Sequence, residues 1–213
     1  VPAHWLPSAV AGLATGKPLV LQAWGSDVEL AKRLPWLFRP LLRRARVVVC
    51  ASSSLAADMR ALGARDVRVI PSGIDVPAQV RPSDEPPHVL YVGRLPEEKG
   101  IRELVRAAAG LPLVVVGDGP LRDLVPAAVG FVPHDELGPY YERAAVVCVP
   151  SRREGYGVTA REAMAYGRAV VTTGVDPLKV IVGRDAERDD IFFFVPGDLF
   201  ADQPRWPAII FAG

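Results

Sequence analysis

Short, continuously apolar runs punctuate the chain at residues 19–23, 47–50, 67–70, 89–92, 113–116, 145–149 and 169–173, with longer segments of helical character between them. A run that is apolar at every position, rather than at alternate ones, marks a strand covered on both faces. Helices placed between such strands mark parallel βαβ crossovers. The pattern predicts an α/β protein built from doubly wound, Rossmann-like parallel sheets.

Between residues 28 and 44 the helical pattern is interrupted by Pro35 and Pro40, which predicts two shorter helices or a kink. Residues 53–62 form a cleaner helix, with Ser52 or Ser53 as its N-cap and Gly63 as its stop. Further helices are expected from Ile101, from Leu121, over 135–143 and from Val158. Pro71-Ser72-Gly73-Ile74-Asp75 ends a strand, and the stretch that follows is rich in proline and charge, as a linker is. The division expected is a partial first domain over 1–75, a linker over 76–87 and a second domain over 88–213. The two halves echo each other: the run before Gly25 resembles the run before Gly117, and 46–52 resembles 145–151. Duplication and convergent βα punctuation explain this echo equally well.

A chain of 213 residues with half its positions hydrophobic buries a sizeable core. The formal net charge of +1 gives no electrostatic case for a nucleic-acid partner. The most basic segment, 39–46, has Arg43 and Arg44 adjacent and reads as a solvated helix end in preference to a membrane-surface or acceptor-binding patch. Cys50 and Cys148 each end an apolar run, which predicts buried free thiols in a reducing compartment. There is neither Cys-x-x-Cys nor His-Glu-x-x-His to suggest zinc. No apolar run approaches the ~18 residues of a membrane span. A soluble, cytoplasmic protein is expected, with peripheral contact at the inner face of a membrane left open. Val1 follows neither an initiator methionine nor a charged-then-apolar leader, so a secretory precursor is not expected and the front looks cut.

Candidate chemistry concentrates in residues 151–166, Ser-Arg-Arg-Glu-Gly-Tyr-Gly-Val-Thr-Ala-Arg-Glu-Ala-Met-Ala-Tyr. Gly155-Tyr156-Gly157 lets the backbone approach a ligand, and a helix opening at Val158 directs free N–H groups at the same space, where an anion belongs. Glu162 then falls about one turn into that helix, while Glu154 stays on the corner before it. Glu154, seven residues and Glu162, set in Pro-Ser-x-x-Glu-Gly-Tyr-Gly-x-x-x-x-Glu-Ala-Met-Ala-x-Gly, resembles the donor-site signature of the retaining GT-B glycosyltransferases of family 4. The resemblance implies that Glu154 holds donor-sugar hydroxyls and that Glu162 takes ribose hydroxyls.

Val89-Leu90-Tyr91-Val92 runs into Gly93-Arg94-Leu95-Pro96-Glu97-Glu98-Lys99-Gly100 and a helix start. Arg94 supplies a planar fork and Lys99 a compact charge, a pair that neutralises a diphosphate without a metal. No Asp-x-Asp is present, and no metal or other cofactor is expected. Taken alone, the two cations read as partners of Glu97, Glu98 or Glu103 on a surface turn; Gly-Arg-x-x-x-x-Lys-Gly also resembles the family's diphosphate-binding element. Gly117 and Gly119 either admit a nucleotide to the backbone or turn the chain. Gly130-Phe131-Val132-Pro133-His134 resembles the segment whose backbone holds the base, and His134 is expected at the helix mouth for structural reasons. Glu154, Arg94 and Lys99 are thus the residues expected at the reacting centre. Glu162, Gly155, Tyr156, Gly157, Val158, Gly93, Gly117 and Val132 are those expected around the donor, all surrounding one nucleotide.

The resemblance is specific only from about Tyr91 to Thr173, and three departures stand out. A front of about 80–100 residues is expected to be missing, with Ala3-His4-Trp5 resembling the middle of the first domain. Many relatives place His-Gly-x-x-Asp where this chain has Trp24-Gly25-Ser26-Asp27, and Trp offers one donor and no acceptor, so sugar positioning by stacking or through the main chain is expected in place of an imidazole, with His4 as an alternative substitute. After Thr173 the expected Gly-Gly-x-x-Glu turn is replaced by Gly174-Val175-Asp176-Pro177, ahead of a charged stretch over 185–190, a family-like strand end over 191–198 and a short tail. The function implied is transfer of a sugar, with retention and without a metal, from a UDP-, GDP- or ADP-sugar to a glycan, lipid-linked or small-molecule acceptor. A nucleotide-binding remnant without transfer activity and a GT-B-fold sugar epimerase are the alternatives.

Overall fold

The computed structural model describes residues 2–4, 8–80, 86–175, 177–178 and 191–194. Residues 81–85 of the expected linker, the charged stretch 185–190, the strand end beyond Phe194 and the tail lie outside the described residues. The chain divides into two compact units, one of residues 1–73 with 154–156 and the other of 74–153 with 157–213.

In the first unit, strands β1 (Pro2–Ala3), β2 (Val20–Ala23), β3 (Val47–Cys50) and β4 (Val67–Val69) pair in parallel in sequence order. Between them run helices α1 (Ala9–Leu13), α2 (Gly25–Arg33), α3 (Pro35–Arg44) and α4 (Ser53–Ala61). Sequential parallel order with right-handed crossovers sends successive helices to the same side of a sheet. The core agrees: Leu21, Ala23, Val48 and Cys50 share one cluster with Val28, Phe38, Leu42 and Met59. The uniformly apolar strands predicted cover on both faces, yet Val20, Gln22, Val47 and Val49 on the alternate positions are only half-buried or exposed among the described residues. Sequential order, which stacks the described helices on one side, accounts for the difference.

Pro35 opens α3 as the first helical residue, where its missing N–H costs nothing, so the helical pattern splits in two as expected. Pro40 lies inside α3 on its exposed side without ending it. Ser52 caps α4, its hydroxyl accepting from the Leu55 N–H at 3.3 Å.

The second unit orders its strands β6-β5-β7-β8-β9, where β5 is Val89–Val92, β6 Leu113–Val116, β7 Val146–Val149, β8 Ala169–Thr173 and β9 Ile191–Phe194. The first three pairings, β6–β5, β5–β7 and β7–β8, are parallel, and β9 closes the edge antiparallel to β8. Helices α5 (Ile101–Ala107), α6 (Gly138–Arg143) and α7 (Val158–Ala165) connect them. Both faces carry a core here. Leu90, Val147 and Val170 face Tyr141, Ala160 and Ala163 on one side, while Val89, Tyr91 and Cys148 face Ile101, Leu104 and Val125 on the other. The earlier echo does not extend to strand order: β2 and β3 are neighbours, whereas β6 and β7 flank β5.

Two expected helices are shorter than their patterns. From Leu121 the chain makes only a 3₁₀ turn, Arg122–Leu124, because Pro126 drives Val125 out of the helical region. Over 135–143 a 3₁₀ turn, His134–Glu136, precedes α6, because Pro139 cannot donate to a preceding turn and instead sits in the first turn of a new helix. Both cysteines are free and buried. Burial pushes the Cys50 thiol up to about 11 and that of Cys148 up to about 12, so neither is a thiolate nucleophile at neutral pH.

Candidate functional site

In the second unit the chain goes from β5 to β6 on one side and then returns to β7 on the other side of β5. At such a reversal the loops leaving the two adjacent strands diverge to opposite faces and open a crevice at the carboxyl edge, where ligands of doubly wound sheets bind. The β5 and β7 ends are therefore the place at which side chains of the second unit can enclose a small molecule.

Beyond β5, Gly93 and Arg94 lead into a 3₁₀ turn, Glu97–Lys99. Beyond β7, residues 150–153 lead toward α7, whose N-cap Gly157 has φ 77°, a left-handed conformation that favours glycine. The two loops are bound together. Thr159, in the first turn of α7, donates its hydroxyl to the Val92 carbonyl at 3.2 Å, and the Arg152 N–H donates to the Glu98 carbonyl at 2.9 Å. A side chain at Gly100, φ 69°, would drive a Cβ into the Pro150 carbonyl oxygen, so only glycine lets the loops meet. On the other flank, the Gly93 N–H donates to Val116 at 2.9 Å and the Gly117 N–H to Gly130 at 2.7 Å. Gly117 is needed for backbone packing, since a Cβ there would fall 1.8 Å from the Gly93 oxygen.

The sequence candidates Gly93, Arg94, Lys99, Gly117, Val132, Val158 and Glu162 thus share the second unit, and Gly93, Gly117 and the start of α7 share its carboxyl edge. Arg94 is exposed, and its guanidinium has no hydrogen bond or ion pair among the described residues. Two of the three glutamates offered to it by a surface-turn reading are taken by other cations: Glu97 by Arg102 at 3.1 Å, and Glu103 by Arg152 at 2.6 Å and Arg106 at 3.3 Å. Val132 is half-buried against the α6–α7 core.

Glu162 is buried, with 7 % of its surface exposed, and both its oxygens are engaged. Tyr141 on α6 donates its hydroxyl to Oε2 at 2.6 Å, and His134 Nε2 lies 2.7 Å from Oε1. His134 stands at the mouth of the turn before α6, as expected, and there touches Glu162. The hydrogen bond to Glu162, followed by that carboxylate's charge, raises the imidazole pKa. A raised folded value means that the ion pair contributes fully below the ordinary imidazole pKa and is lost as pH rises through the folded one. Neither contact was readable from spacing, because His134 and Tyr141 precede Glu162 by 28 and 21 residues on other elements.

Tyr141 carries the first prediction. Its ring stacks on Tyr166 at 5.3 Å, so Tyr141→Phe keeps the packing and removes only the donor to a buried carboxylate oxygen. Stability is expected to fall by about 1–3 kcal/mol, read as a drop in melting temperature of roughly 3–10 °C.

Glu154, Gly155 and Tyr156 group with the first unit. There Ser52 donates its hydroxyl to the Gly155 carbonyl at 3.1 Å and the Tyr156 hydroxyl donates to the Ser72 carbonyl at 2.6 Å, with the Tyr156 side chain buried. A Cβ at Gly25 would come within 3.2 Å of the Gly155 Cα, which explains glycine at both positions. Asp27, fully buried, accepts the Trp24 N–H at 2.7 Å and anchors the start of α2. His4 is 2.7 Å from Gln22 Oε1.

Two units of parallel sheet, with a reversal of strand order at β5 in the second, define a GT-B-type glycosyltransferase fold. The chain belongs to the family described as glycosyl transferases group 1, whose model matches residues 86–202; the model of glycosyltransferase family 4 matches residues 2–77. It is 34 % identical over 179 residues to the 2-deoxystreptamine glucosyltransferase of Streptomyces kanamyceticus, an overlap of 67 % of this chain and 46 % of that one. Among solved structures it superposes on the sucrose-phosphate synthase of Thermosynechococcus elongatus with a TM-score of 0.69 and 26 % identity, covering 85 % of this chain and 57 % of the other. A structure of S. aureus TarM with UDP gives a TM-score of 0.65 at 13 % identity, over 85 % of this chain and 41 % of that one, a likeness of fold. The chain spans about half or less of the length of the curated relatives it matches. No helix among the described residues is long and apolar enough to cross a membrane.

Proposed function

We propose that the chain carries the donor half of a metal-independent glycosyltransferase that moves a sugar, with retention, from a nucleoside diphosphate sugar to an acceptor. The observation that carries this reading is the Thr159–Val92 hydrogen bond, which ties the start of α7 to the end of β5 at the switch point. It supports reading the Arg94 turn and the Glu162 helix as two walls of one crevice. In that crevice Arg94 and Lys99 face the diphosphate, the free N–H groups at the start of α7 add to the positive field, and Glu162 accepts from ribose hydroxyls. As the bond from sugar to diphosphate breaks, negative charge grows on the leaving group, and fixed cations stabilise that state more than the ground state. Glu154 keeps the role implied by its motif, holding hydroxyls of the donor sugar. Backbone around Gly117 and Val132 borders the base.

The test is an incubation of the chain with UDP-, GDP- and ADP-sugars, with and without a simple alcohol acceptor, followed by NMR of the product anomer. Transfer or hydrolysis with retained configuration, undiminished by EDTA, is expected with at least one donor. A chain that binds nucleotide without turnover is the second reading, favoured by Trp24 at the position where many relatives carry histidine; binding with no product from any donor would select it.

A further inference from the structure

Helix α3 presents two opposed faces. Phe38, Leu41 and Leu42 are buried in the first unit's core, while on the opposite side Trp36 is 72 % exposed and at the flank between the two faces Leu37 is 46 % exposed. Positions three, four and seven residues apart share a helix face, so Trp36 is flanked by Arg39 and Arg43, with Arg44 at the edge of that face, all exposed. No acid occurs between Glu29 and Asp58 in the sequence. Lys32 is satisfied by Glu29 at 3.2 Å and Asp58 at 2.6 Å. The side chains of Arg33, Arg39, Arg43, Arg44 and Arg46, by contrast, make no hydrogen bond or ion pair among the described residues.

Arg39, Arg43 and Arg44 thus carry charge that no acid on this helix offsets, beside a solvent-exposed indole, a combination that matches a surface both anionic and apolar. We propose that this face of α3 docks on the surface of an anionic lipid bilayer. Guanidinium groups pair with lipid phosphates in the headgroup layer, and Trp36 with Leu37 enters the boundary between headgroups and acyl chains, where an amphipathic ring is most stable. A polyanion such as nucleic acid or an acidic glycan would satisfy the arginines but give Leu37 nothing, which is why the lipid surface fits better. The inference is independent of the transfer reaction proposed above.

The test is cosedimentation of the 213-residue chain with vesicles of phosphatidylcholine alone and of phosphatidylcholine mixed with phosphatidylglycerol, at low and high salt. Binding only to the anionic vesicles, weakening with salt, is expected. Trp36→Ala should lower the partition coefficient about tenfold, and Arg39→Glu with Arg43→Glu and Arg44→Glu by on the order of a hundredfold or more. All four side chains are exposed, and unchanged melting temperatures confirm that the variants fold. Absence of binding to anionic vesicles, equal binding to neutral ones, or wild-type binding by the arginine variant would overturn the proposal. So would Trp36→Ala binding vesicles as well as wild type while heparin displaces both, which would identify a site for soluble polyanions.

Discussion

Arg94→Ala is expected to lower turnover by about a hundredfold to a thousandfold, with a much smaller change in affinity for the intact nucleotide sugar. The asymmetry follows from when the charge appears. An intact donor carries a diphosphate already esterified at both ends, and breaking the sugar bond releases a further negative charge on the leaving oxygen, which the proposed role sets beside the guanidinium. Arg94 therefore gains most of its interaction in the transition state, the condition under which removing a group lowers kcat more than it raises KM. Arg94 is exposed and unpaired among the described residues, so its loss strands no buried carboxylate. Stability should change by less than about 0.5 kcal/mol. Steady-state kinetics with the best donor, beside a melting curve, checks both halves. Arg94→Lys should recover part of the rate, since a point charge replaces a bidentate fork.

Glu162→Ala should act on the other parameter. A buried carboxylate already fixed by Tyr141 and His134 is a pre-organised acceptor, and hydrogen bonds to a charged group contribute about 1.5–3 kcal/mol. Nucleoside diphosphate affinity is expected to fall by roughly tenfold to a hundredfold, in the free nucleotide as much as in the sugar donor, because the ribose is common to both. His134 modulates this. Its protonated form pairs with Glu162 and is favoured by a raised pKa, so the carboxylate exchanges its partner from imidazolium to neutral imidazole as pH rises.

Strand positions were legible because they rest on continuous β-branched runs: Val47–Cys50, Val89–Val92, Leu113–Val116 and Ala169–Thr173 stand where the pattern put them. The start of α7 at Val158 was legible from glycine, since Gly157 takes the left-handed conformation that the turn requires. The lengths of the elements near Leu121 and Asp135 were not, because helical periodicity was allowed to outweigh Pro126 and Pro139. Strand order was also hidden, and with it the one-sided cover of the first sheet and the crevice of the second. Pairing depends on which crossover goes left or right, which no local pattern encodes. Within the site, motif residues were readable from their spacing along one loop and helix. Their supports were not: Tyr141 and His134 meet Glu162 only through the packing of α6 on α7, and Gly117 proves to serve the backbone of Gly93.

Calorimetric titration of UDP, GDP and ADP into the wild-type chain and into Glu162→Ala tests most directly whether the crevice between β5 and β7 holds a nucleotide. The account predicts saturable binding of at least one of them to the wild type and an affinity at least about tenfold lower in the variant, with its fold intact by circular dichroism. Equal affinities in the two proteins would place the nucleotide away from Glu162 and contradict it.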